Sequence, residues 1–156
     1  MKVVIVHDSK LGNGSQIAEA MQRTIEAAGH EVSLGHVNEL DPSTAAAEKP
    51  DLVIVGAAVR AFMVSPATKK WLRGLKRALK QADHTVDAGA VFLTHGLPKN
   101  TADRWGTRLR RRMEKVHSIR SVYPDWLSGR VVGQEGPLEE GTLKRFEEQA
   151  KSLIAR

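Results

Sequence analysis

Residues 51–56, Asp-Leu-Val-Ile-Val-Gly, are apolar almost without interruption and show none of the alternation of a strand with one wet face. Such a run belongs in a parallel sheet covered on both sides. Val3-Val4-Ile5-Val6, inside a strand read from Lys2 to His7, has the same character, as does Gly89–Thr94. After each run the apolar period changes from that of a strand to that of a helix. The first helix is expected over Asn13–Ala28, with Ile17, Met21, Ile25 and Ala28 inward and Gly29 closing it. A second strand is read at Glu31–His36 and a short Ala-rich helix at Pro42–Glu48. A helix starting at Pro66 turns Trp71, Leu75 and Leu79 inward, and another over Ala102–Val116 buries Trp105, Leu109 and Met113. Ser118–Tyr123 is the fifth strand, and Glu139–Ala155 the last helix, with Leu143, Phe146, Ala150 and Leu153 inward. Strands alternating with helices give a three-layer α/β sandwich on a five-stranded parallel sheet. The order 2-1-3-4-5 suits this length, and its ligand crevice lies beyond the carboxyl ends of strands one and three. Three loops should meet there: Asp8–Gly14, Ala57–Ser65 and His95–Thr101.

The 156 residues are enough for one domain, 1–156, with a full core. Cysteine is absent, which excludes disulfides, a thiolate nucleophile and cysteine metal sites; no metal site is expected. Neither a secretory leader nor a bilayer-length apolar run is read, so a cytoplasmic location is expected. Basic residues outnumber acidic ones 24 to 18, a net charge of +6. The excess gathers in Lys69, Lys70, Arg73, Lys76, Arg77 and Lys80, and again in Arg104, Arg108, Arg110, Arg111, Arg112 and Lys115. On helices following strands three and four these stripes would merge, a field suited to an acidic partner.

The first loop sets the chemistry. Ser9-Lys10-Leu11-Gly12-Asn13-Gly14-Ser15 passes from a buried strand into a helix, where free backbone N–H groups and the helix dipole attract an anion. A dinucleotide fingerprint needs a third glycine, but Gly12-Asn13-Gly14 is followed by Ser15-Gln16-Ile17. A Walker loop needs Gly-Lys-Ser or Gly-Lys-Thr, which is absent. A phosphoacceptor receiver needs an aspartate ending the third strand, where Val55-Gly56-Ala57 stands.

These residues resemble the flavodoxin family. Ser9, Gly12 and Asn13 match the serine, glycine and asparagine of its Ser-x-Thr-Gly-Asn-Thr loop. Asp51–Gly56 followed by Ser65-Pro66 resembles its second flavin loop and helix start, and Gly133–Gly141, with Gly136-Pro137-Leu138, resembles the Gly-Pro-Leu segment before the last helix of the small flavodoxin-domain proteins. Leu11 and Gly14 stand where the family usually has threonines, and Ala57-Ala58-Val59 where it often has Ser-Pro-Thr. The resemblance implies a flavodoxin-like fold and FMN as cofactor. The phosphate would meet Ser9, Lys10, Leu11, Gly12, Asn13, Gly14 and Ser15. The isoalloxazine would lie between Ala58, Val59, Arg60, Ala61 and Phe62 on one side and Thr94, His95 and Gly96 on the other.

Each of these residues also has a plainer reading. Gly12 and Gly14 serve a tight turn, Ser9 and Ser15 cap the helix, and Arg60 and Phe62 are surface residues of a loop. Trp71 and Trp105 are read as packing, Trp126 as covering a core edge, and His7 as a satisfied polar residue. His95, ending a buried strand at the crevice mouth, is the one candidate proton donor. Three functions stay open: an FMN-binding electron carrier serving an acidic redox partner protein, an FMN-dependent NAD(P)H/quinone-type reductase, and a flavin-free module that binds through its basic face. Nucleic acid is not an expected partner, nor is membrane insertion.

Overall fold

A computed structural model of the chain describes residues 1–60, 63–133 and 135–155, apart from the side chain of Lys99. The elements run β1 (Lys2–His7), α1 (Asn13–Ala27), β2 (Glu31–His36), α2 (Pro42–Ala47), β3 (Leu52–Arg60), β4 (Met63–Val64), α3 (Pro66–Gln81), β5 (Val86–His95), α4 (Lys99–Glu114), β6 (Ile119–Val122), β7 (Leu127–Arg130) and α5 (Thr142–Ile154). The sheet order is β2-β1-β3-β5-β6, parallel throughout, which is the order expected from the sequence.

Alternate residues of the central strands feed two cores. Val4, Val6, Val53, Val55, Val91 and Leu93 pack with Trp71, Leu75 and Leu79 of α3 and with Leu109 and Met113 of α4. Val3, Ile5, Leu52, Ile54, Ala90 and Phe92 face the other way, onto Ile17, Met21 and Ile25 of α1 and Phe146, Ala150 and Leu153 of α5. Burying large aliphatic side chains of this kind stabilises by about 1.5–3 kcal/mol each, so the central strands anchor everything the loops do. Ala28, expected inward, is exposed because α1 has already ended at Ala27.

Among the described residues the sheet holds seven strands rather than five. Residues 57–60, expected in a loop, continue β3, and Met63-Val64 returns antiparallel, pairing Val59 with Val64 and Arg60 with Met63. The alanines and valine there carry no turn signal, so the strand runs on beyond its buried portion. The fifth expected strand, Ser118–Tyr123, is β6, and β7 is an addition beyond it. β6 lies along Val86–Gly89, and β7 rejoins β5 from Phe92↔Leu127 to His95↔Arg130. Tyr123 still donates its N–H to the Gly89 carbonyl (2.7 Å). Pro124 next in line has no N–H to give, and the chain leaves the ladder there. The last helix starts at Thr142, not Glu139, behind Gly141 in the left-handed region. No helix among the described residues is long and apolar enough to cross a membrane.

Candidate functional site

Beyond the carboxyl ends of β1, β3 and β5 lies a cleft of about 490 Å³, within the range of small-molecule and cofactor pockets. Ser9, Lys10, Leu11, Asn13, Gly14, Ala58, Val59, Arg60, Thr94, His95 and Gly96 line it, all of them expected there. Gly12, the N-cap of α1, and Ser15, in its first turn, do not line the cleft. Ala61 and Phe62 lie outside the described residues. Leu97, within the expected His95–Thr101 loop, completes the wall with Val131 and Gly133, which were missed. The last two arrive on the segment after β7, held by Val131 N–H to His95 O and Val132 N–H to Pro137 O, both 2.8 Å.

The start of α1 is shaped by its glycines. Gly12 sits at φ +92°, a conformation that strains any residue with a Cβ, and it serves as N-cap with no side chain closing the helix. A Cβ at Gly14 would come within 3.2 Å of Ser9 Cβ, tighter than an ordinary contact. The serines do not cap. Ser9 Oγ accepts the Gly12 N–H (3.1 Å), and Ser15 Oγ donates to the Gly12 carbonyl (3.0 Å). Among the described residues no protein acceptor takes the N–H groups of Lys10, Leu11, Asn13, Gly14 or Ser15. Asn13 instead braces the loop, its amide donating to the Glu135 carbonyl (3.1 Å).

Asp8, only 3% exposed, was given no role from the sequence and has a clear one here. Its carboxylate accepts the Ala58 N–H (2.9 Å) and the Thr68 hydroxyl (2.8 Å), clipping the end of β1 to β3 and α3. Arg60 folds back over it, donating to the Asp8 carbonyl (2.7 Å) and lying 3.7 Å from the carboxylate. A buried acid is tolerable only with partners of this kind. An acid ending an apolar strand was the signal that could have revealed it.

His95 is 2% exposed and has both ring nitrogens engaged. Nδ1 faces the Leu97 carbonyl at 3.2 Å and Nε2 the Ser128 hydroxyl at 2.8 Å. A carbonyl only accepts, so Nδ1 carries the proton and Nε2 takes the one from Ser128. Burial pushes the imidazole below its ordinary value, a shift the Leu97 carbonyl opposes and the Arg130 charge reinforces. His7 is likewise pushed down, by burial first and then by the charge of His36. Its Nδ1 accepts the Ser9 N–H (3.2 Å), so the neutral ring helps hold the first loop. Trp126 meets His95 edge-on at 5.7 Å, and its indole N–H donates to Asp103 (2.9 Å), consistent with a role at the core edge.

A family model described as "Flavodoxin domain" matches residues 4–123. The chain belongs to the flavodoxin family. Membership brings a flavodoxin-like role, flavin binding with electron transfer, which the open N-terminus of α1 suits. Solved structures agree on the fold. A flavodoxin from the domain Archaea superposes with TM-score 0.77 at 15% identity, covering 99% of this chain and 97% of that one. Oxidised flavodoxin 1 of Bacillus cereus gives 0.73 at 17%, covering 100% and 99%. Rubredoxin oxygen:oxidoreductase of Desulfovibrio gigas gives 0.76 at 17%, with 99% of this chain lying on 35% of that one. Among curated proteins no sequence matches this chain.

Proposed function

We propose that the cleft takes FMN and that the protein carries electrons between redox partners. The observation that carries this reading is the set of backbone N–H groups of Lys10, Leu11, Asn13, Gly14 and Ser15, without a protein acceptor among the described residues, at the start of a 15-residue helix beside the cleft. Several oriented donors can replace the water around a phosphate dianion, and the helix dipole adds to them. Lys10, in no ion pair among the described residues, supplies a full positive charge. The Ser9 hydroxyl hydrogen is left to donate, since its oxygen is already the acceptor for Gly12.

When bound, FMN supplies one- and two-electron chemistry that no side chain here can. The chain's own residues hold, shield and tune it. Val59 on the β3 side and Leu97 and Val131 on the other offer aliphatic faces to a planar ring. Arg60, fixed by Asp8, brings positive charge to the same wall. His95 has no nitrogen free for a proton transfer in this arrangement, which favours a carrier over a reductase using His95 as its acid. The partner we infer is an acidic protein, given the net charge of +6, and the site of action the cytoplasm.

Purified protein should take up added FMN with a shift of the flavin bands and quenching of its fluorescence. It should then show little steady-state oxidation of NADPH or NADH with a quinone. An unchanged flavin spectrum at excess protein would remove the reading, and rapid quinone turnover would replace it with the reductase.

A further inference from the structure

Between α3 and α4 lies a second groove of about 300 Å³, on the side of the sheet opposite α1 and α5. Its apolar lining is Val64, Trp105 and Leu109, and every other residue that lines it is basic. Lys69 comes from α3, and Arg108, Arg112 and their neighbours from α4. The expected merging of the two basic stripes is therefore partial, since Lys70, Arg73 and Arg77 border a different groove beside α2.

Crowded like charges cost stability unless something answers them. Helix α3 carries no acid, and the two acids of α4 are engaged elsewhere. Glu114 pairs with Arg110, and Asp103 accepts from Trp126. Among the described residues no ion pair involves a cation of the groove. Half-buried Trp105 lies under two guanidinium groups, Arg108 at 5.0 Å and Arg104 at 5.7 Å from the ring centroid, so aromatic and cation are held together. The groove also shares a wall with the cofactor cleft. Val64 lines the groove, while Val59, its cross-strand partner, lines the cleft. Met63, 51% exposed, stands on the same short strand.

We propose that this groove docks an acidic polypeptide segment bearing one apolar anchor residue, through which a redox partner is seated beside the cleft. The proposal rests on the electron-carrier reading and adds to it the place and chemistry of docking. The anchor enters against Val64, Trp105 and Leu109, while flanking carboxylates meet Lys69, Arg108 and Arg112. A concave, apolar-floored slot for one or two side chains suits a peptide better than a nucleic-acid backbone or a flat membrane surface.

The test uses FMN-loaded protein and a fluorescein-labelled peptide of about ten Asp and Glu residues with a central Phe, followed by anisotropy. Binding should weaken about tenfold or more when Phe is replaced by Ser, and again in the Arg108→Glu/Arg112→Glu variant or in Lys115→Glu. Lys144→Glu, on α5, should leave it unchanged. Any of four results overturns the proposal: no binding, equal binding of the two peptides, equal loss in Lys144→Glu, or tighter binding of polyuridine or phosphatidylglycerol vesicles. The FMN spectrum of each variant separates the two readings. Peptide binding without FMN uptake removes the cofactor reading alone, and FMN uptake without peptide binding removes the docking groove alone.

Discussion

Asp8 and His95 show how single buried polar groups hold the cleft. Replacing Asp8 by Ala leaves the Ala58 N–H and the Thr68 hydroxyl without their acceptor and frees Arg60. A loss of about 2–4 kcal/mol in urea unfolding is expected, with Thr68→Val costing about 1 kcal/mol. His95 and His7 both hold their protons less tightly when folded than when unfolded. The unfolded chain therefore binds more protons as the pH falls through the ordinary histidine value of about 6.5. Their contribution to stability is complete above that value and is lost on acidification down to the depressed folded value. Urea midpoints should fall between pH 7.5 and pH 5.5, and His95→Gln should flatten that slope. A steeper slope in the variant would contradict the assignment.

Among the elements, the start of α1 matters most. Gly12→Ala forces a Cβ into the left-handed region at a cost of roughly 1–2 kcal/mol and should weaken FMN binding as well. Ser65→Ala removes the cap of α3, whose hydroxyl accepts the Ala67 N–H, and should cost about 1 kcal/mol while leaving FMN affinity unchanged. Paired thermal unfolding and flavin titration separate the two. The elements legible from sequence were those whose burial is continuous. β1, β2 and the buried part of β3 were read to within a residue, and the glycine loop was placed at the cleft. What escaped depends on partners distant in the chain. β7 is four residues of mixed character that become a strand only because β5 extends beside them. β4 exists by pairing with residues of β3 that look like a loop. Val131 and Gly133 reach the cleft through a turn that Gly133, Gly136 and Pro137 mark without saying where it points.

For the molecule as a whole, charge is the property that separates this chain from an acidic carrier. With the proposed FMN in the cleft, a net +6 and Arg60 on its wall would favour the anionic reduced form over the oxidised one. The potential of the reduced couple should therefore be less negative than in an acidic flavodoxin. Arg60→Gln should lower it by about 30–60 mV, a three- to tenfold change in preference for a one-electron couple. A potentiometric titration giving a very low value, or no change in the variant, would show that the ring is insulated from this charge.

The proposed anchoring of FMN by its phosphate at residues 9–15 underlies the flavin-binding expectations. Fluorescence titration with FMN and with riboflavin, which differ only in that group, isolates it. FMN should bind roughly a hundredfold or more tightly, the gain from two or more charge-assisted hydrogen bonds to backbone N–H groups. Equal affinity for the two flavins would mean that the loop holds no phosphate.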